Sequence, residues 1–121
     1  MKNLILISTV VTGLLAVGVS LPVFADSSEV KVTGEVIDTF CYMSMGAHGE
    51  SHRQCGIGCA KKGIPVGIVE NGTGNIYVLL PVKEDTALPD GVINKMGQTA
   101  TISGHVYSKG GSRFLTVETV G

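Results

Sequence analysis

Three observations predict an all-β protein. Apolar and polar residues alternate through Val30-Lys31-Val32-Thr33-Gly34-Glu35-Val36 and again over residues 99–107, the two-residue period of a half-buried strand. Short apolar runs flank the glycine-rich stretches Asn71-Gly72-Thr73-Gly74 and Lys109-Gly110-Gly111, as hairpin strands flank their turns. Seventeen glycines in 121 residues suit tight turns and bulges, and 44% apolar side chains provide for one small core.

The chain opens on Lys2, an apolar run over residues 4–19, and then Leu21-Pro22-Val23-Phe24-Ala25. This is the pattern of a secretory signal peptide, with the small residues Val23 and Ala25 where a signal peptidase reads. Residues 1–25 are expected to be removed, leaving a single domain over residues 26–121 with no stable membrane insertion. An uncleaved anchor is the competing reading, but Gly13, Gly18 and Pro22 weaken a run that barely reaches the roughly 18 residues a span needs.

In the mature part, residues 30–38 predict a first strand, with a bulge where Val36-Ile37 breaks the alternation. Residues 64–69 and 76–80 predict a hairpin. Val92, Ile93 and Met96 at helical spacing, followed by Gly97, predict a short helix. Residues 99–107 and 113–120 predict a second hairpin. Strand, cysteine-bearing insert, strand, strand, short helix, strand, strand is the order of a small OB-like closed barrel of about five strands. A meander curled on itself would give the same string. Such barrels serve many functions, so function must come from the site.

Without Lys2, 8 basic side chains face 10 acidic ones, a net charge of −2. No run of Lys or Arg is present, which excludes a protein built to neutralise nucleic acid, and Phe40, Tyr42, Tyr77, Tyr107 and Phe114 are thin for base stacking. All three cysteines are mature, an odd number in a small domain of the kind that often gains stability from a disulfide or a metal.

The informative stretch runs from Cys41 to Cys59. Ser51 and Gln54 form a capping-box pattern, and Lys61-Lys62-Gly63 with Pro65 beyond marks a helix end, so a short helix is expected over residues 52–62. His52, Cys55 and Cys59 then stand at i, i+3 and i+7 on one face, and the end of the first strand brings Cys41. Gly56 and Gly58 remove side chains beside that stripe and would let another segment approach. Cys41, His52, Cys55 and Cys59 have the ligand types of a zinc centre or of a copper(I) site. Met43, Met45 and His48 nearby are possible additional ligands and tilt the choice toward copper, since thioethers bind cuprous ion well and zinc poorly. As flexible gap-fillers under a loop, the two methionines would have no such role.

Three other readings stand beside a metal. A disulfide from Cys41 to Cys55 or Cys59 would tie the insert to the barrel, whereas Cys55 to Cys59 within one helical turn rarely meets disulfide geometry. A thiol redox module would use the same residues, although C-x-x-C and a thioredoxin-like alternation of strands and helices are both absent. Haem through C-x-x-C-H attachment is excluded, while noncovalent haem held by His or Cys stays open. No hydrolytic constellation is visible. Asp38, Glu50, Glu70 and Asp90 are scattered among turns, where solvated surface is expected, and His105 reads as a surface histidine on the face of Thr101, Ser103 and Tyr107.

The strings Gly34-Glu35-Val36-Ile37-Asp38 with Cys41-Tyr42, then His52-x-x-Cys55-x-x-x-Cys59, then Gly63-Ile64-Pro65-Val66-Gly67 resemble a group of small exported bacterial proteins. The resemblance covers about residues 34–80. It implies a shared site at Cys41, His52, Cys55 and Cys59 and no particular activity. The expectation is an exported (periplasmic or secreted) metal-binding domain that takes copper or zinc, or else haem, and that binds rather than catalyses. The alternative is a thiol redox or disulfide-stabilised interaction module.

Overall fold

The computed structural model describes residues 28–121. The signal peptide and its cleavage after Ala25 lie outside the described residues. No described helix is long and apolar enough to cross a membrane.

The chain is mostly β. Its strands are β1 (Val30–Asp38), β2 (Val66–Glu70), β3 (Ile76–Leu80), β4 (Thr99–Gly104), β5 (Val106–Lys109), β6 (Ser112–Thr116) and β7 (Thr119–Val120). Three short helices interrupt them: α1 (Thr39–Met45), α2 (Arg53–Lys61), entered through a 3₁₀ turn at Glu50–His52, and α3 (Asp90–Ile93). All seven strands form one sheet in the order β5-β6-β3-β2-β1-β4-β7. The closed barrel of about five strands is therefore corrected to an open sheet of seven. Two breaks account for the difference. His105 divides the segment expected as one strand into β4 and β5, and Val117-Glu118 divides the next into β6 and β7.

Local chemistry explains the first break. Thr116 clasps His105, its backbone N–H donating to the His105 carbonyl at 3.0 Å and its Oγ1 accepting from the His105 N–H at 2.9 Å and donating to the same carbonyl at 3.4 Å. At Gly104 a Cβ would be driven into the Thr116 carbonyl, so only glycine permits this approach. The sheet wraps one core in which Val32, Val36, Ile68, Leu79, Ile102 and Leu115 are fully buried, with Val92 and Met96 from α3 and the segment after it.

Strand β1 has no bulge. It pairs in unbroken antiparallel register with β2 from Gly34↔Glu70 to Asp38↔Val66, and with β4 from Val30↔Gly104 to Glu35↔Thr99. Alternation fails at Val36-Ile37-Asp38 because both faces are covered there. Val36 enters the core, Ile37 on the opposite face is 2% exposed, and the tight cleft beside the strand end, lined by Val36 and Asp38 with Ala47, His48 and Gly49, takes in the returning insert. The end of β1 is thus the place where the cysteine-bearing insert is fastened to the sheet.

Candidate metal centre

Asp38 ends β1 and begins α1. Its Oδ1 accepts the backbone N–H of Cys41 at 2.9 Å, which makes it the N-cap of α1, and Gly46 in the left-handed region ends that helix. Cys41 is therefore carried by the first turn of a helix rather than by the end of a strand. Its side chain is buried.

Helix α2 brings the other two sulfurs. Glycine at position 56 lets the helix settle on the sheet. A Cβ there would stand 2.7 Å from Met96 Cγ, 2.9 Å from Met96 Sδ and 3.5 Å from Asp38 Oδ2. Gly58 has open space around its Cα and plays no such part. The Arg53 guanidinium secures the helix start by donating to the carbonyls of Asn94 at 2.7 Å and Met96 at 3.1 Å. The capping box is not formed. His52 is the N-cap of α2 and makes no side-chain capping bond. The imidazole is instead turned to Asp38, with Nε2 at 2.7 Å from Oδ2. Because an ionised carboxylate only accepts, Nε2 carries the hydrogen, which leaves Nδ1 of a neutral ring with a lone pair for a cation.

The result is two overlapping groups that share Cys41. The ligand atoms of Cys41, Cys55 and Cys59 all lie within 4.8 Å of one another, and so do those of Asp38, Cys41 and His52. Both groups are close enough to hold a metal ion. All three cysteines are free thiols, graded from buried Cys41 through half-buried Cys59 to exposed Cys55. His48 belongs to neither group. It pairs through Nδ1 with Glu35 at 3.1 Å, Glu35 also accepts the Gly49 N–H, and the Tyr42 ring meets His48 edge-on at 6.0 Å. Met43 and Met45 are 69% and 66% exposed, so they do not fill gaps beneath the insert. His105 is half-buried and pairs with Glu118 at 2.7 Å.

Asp38 is the residue that sequence reasoning missed. Expected on solvated surface, it is 1% exposed. The signal was available in Asp38-Thr39-Phe40-Cys41, an aspartate three residues before the N–H it caps, at the point where alternation fails.

The electrostatics follow from burial and from this carboxylate. Burial alone would raise the Asp38 carboxyl, but the Cys41 N–H, His52 and the Cys41 thiol outweigh it and hold the carboxyl below the usual 3.8. Burial first, and then the Asp38 charge, push the Cys41 thiol up to about 11. Burial, with Asp38 and Cys55 adding to it, also raises Cys59. These thiols stay protonated near neutral pH in the absence of a cation, and cation binding must expel their protons.

The alkaline behaviour has a definite sign. Cys41 ionises near 9.0 when unfolded and near about 11 when folded, so its stabilising contribution is full below pH 9.0 and is lost as pH rises to about 11. Denaturant melts of metal-free, reduced protein on either side of this window are expected to show that loss, and Cys41→Ala should show a smaller one. Equal pH slopes in the two proteins would refute the assignment.

A small, mostly β domain with a Cys/His/Asp cluster able to hold a metal is the class that fold and site define. Compared with family models, curated proteins and solved structures, the chain shows no match.

Proposed function

We propose that the chain is an exported binding protein for a soft closed-shell cation, copper(I) or zinc(II), captured by the sulfurs of Cys41, Cys55 and Cys59. The observation that carries this reading is the convergence of all three cysteines on one point, their sulfurs within 4.8 Å of each other. Thiolates select such ions, and the two helices that bring them meet at Asp38, which caps α1 and holds His52 at the start of α2. Three sulfurs suffice for cuprous ion. Zinc wants a fourth ligand, and the imidazole grouped with Cys41 is His52, which stands with Asp38 rather than with Cys55 and Cys59 and would have to move toward them to complete the set.

Export is supported by the apolar leader ending at Ala25, and in an oxidising compartment thiols that are not held by metal become disulfides. The resemblance to small exported bacterial proteins agrees with this reading. The site favours an ion over haem, because the cleft beside Asp38, His52 and Met96 leaves no space for a water-sized sphere, far short of the roughly 300 Å³ at which small-molecule pockets begin. Burial also raises the Cys41 and Cys59 thiols, which disfavours these two as reactive cysteines.

The test is elemental analysis with parallel thiol counting on mature protein purified without chelator. One bound soft ion per chain is expected, with all three thiols titrating once the protein is denatured in chelator. Protein without metal and with a single titratable thiol would replace the metal reading by a disulfide.

A further inference from the structure

We infer that the three-sulfur site exchanges its ion with an external soft-donor acceptor, and that Cys55 is the ligand displaced in the exchange. The inference rests on the metal-binding reading above and adds the use to which the ion is put.

A structural metal site is closed around its ion, and the domain that holds it commonly unfolds without it. This site has the opposite features. Its sulfurs are graded in exposure, with Cys41 buried at the strand end and Cys55 open to solvent on α2. An incoming donor reaches the ion on the Cys55 side.

The insert is also held in place by contacts that involve no cation. Gly56 seats α2 over Met96, Arg53 ties it to two carbonyls, and Ile57 and Ala60 pack against the core. Asp38 caps α1 with one oxygen and holds His52 with the other. Among the described residues, no buried side-chain polar atom lacks a hydrogen-bond partner. The insert thus has fastenings that do not run through the cysteine sulfurs.

The exchange is a substitution with no change of oxidation state. The acceptor's donor atom bonds to the ion, the bond from the ion to Cys55 Sγ breaks, and Cys55 leaves as a thiolate. With a thiol acceptor, the proton lost by that thiol passes to Cys55. Cys41 and Cys59 hold the ion until further donors of the acceptor displace them one by one, each sulfur taking up a proton from the incoming thiol or from water as it leaves.

The experiment loads the full mature chain with copper(I) under anaerobic conditions. Transfer to the chromophoric chelator bathocuproine disulfonate is then followed at several chelator concentrations, beside far-ultraviolet circular dichroism of the metal-free and loaded protein. A transfer rate that rises in proportion to chelator, with the same spectrum in both states, is the expected result. A rate independent of chelator, or a metal-free chain that is unfolded, overturns exchange while leaving metal binding intact. Failure to take up copper at all overturns the binding reading itself, and exchange with it.

Discussion

Replacing Cys55 by serine is expected to abolish stoichiometric binding of copper(I) or zinc(II) while leaving the fold as stable as before. The two halves of this expectation have separate causes. Cys55 is exposed and its side chain supports nothing in the core, so exchanging sulfur for oxygen at nearly the same size should change stability by less than about 0.5 kcal/mol. The same exchange removes one of three soft donors, and a serine hydroxyl is neither soft nor ionised near neutral pH. Loss of a partner outside the ligand shell already lowers metal affinity by about 10–100-fold, and loss of a ligand should exceed that. Anaerobic titration against a competing chelator reads the affinity, and a thermal melt reads the fold. Unchanged affinity would remove Cys55 from the site and leave Cys41 and Cys59 without a third sulfur. Cys41→Ser should weaken binding as severely but also destabilise the protein, because its side chain is buried beside an ionised carboxylate.

What the sequence made legible here was periodicity, and what it concealed was contact between distant segments. Alternation located β1 and β4, apolar runs around a glycine-rich turn located β2 and β3, and the end signals at Lys61-Lys62-Gly63 located α2, because these patterns are local. Val36-Ile37-Asp38 was legible as an irregularity but not as its cause. Two-sided burial and a bulge disturb the pattern alike, and only the returning insert tells them apart. Ser51 and Gln54 fit the capping box in type and spacing, yet His52 takes the N-cap position because its imidazole finds a buried carboxylate fourteen residues earlier. The division of the segment over residues 99–107 depends on Thr116 meeting His105, a contact no local pattern records. Sharing of Cys41 between two ligand groups was hidden for the same reason. It depends on α1, and Thr39–Met45 offers too short an apolar pattern to announce a helix.

Asp38 links β1, α1 and His52, and its replacement by alanine is expected to affect fold and site together. The carboxylate caps α1 at Cys41 and holds His52, so Asp38→Ala loses a capping bond worth about 1 kcal/mol and a charged hydrogen bond of similar or greater worth. A destabilisation of about 2–3 kcal/mol should appear in denaturant melts at neutral pH. This stability is present above pH 3.8 in the native protein and is lost as pH falls through the lowered carboxyl value, so the difference between native protein and variant should shrink in acid. Asp38→Asn separates capping from charge. The amide oxygen can still accept the Cys41 N–H, but the negative charge that raises both Cys41 and Cys59 is gone. Thiolate absorbance of the metal-free Asn variant should therefore rise at lower pH than in the native protein, with Cys41 moving from about 11 toward 9.0. Affinity for the ion then has two opposed contributions: thiols that give up their protons more readily, and a His52 ring no longer held by a carboxylate. For copper(I) on three sulfurs the first should prevail and binding near neutral pH should strengthen. For zinc, which draws on His52, the second should prevail and binding should weaken by about 10–100-fold. Equal responses of the two ions would place His52 outside the coordination of both.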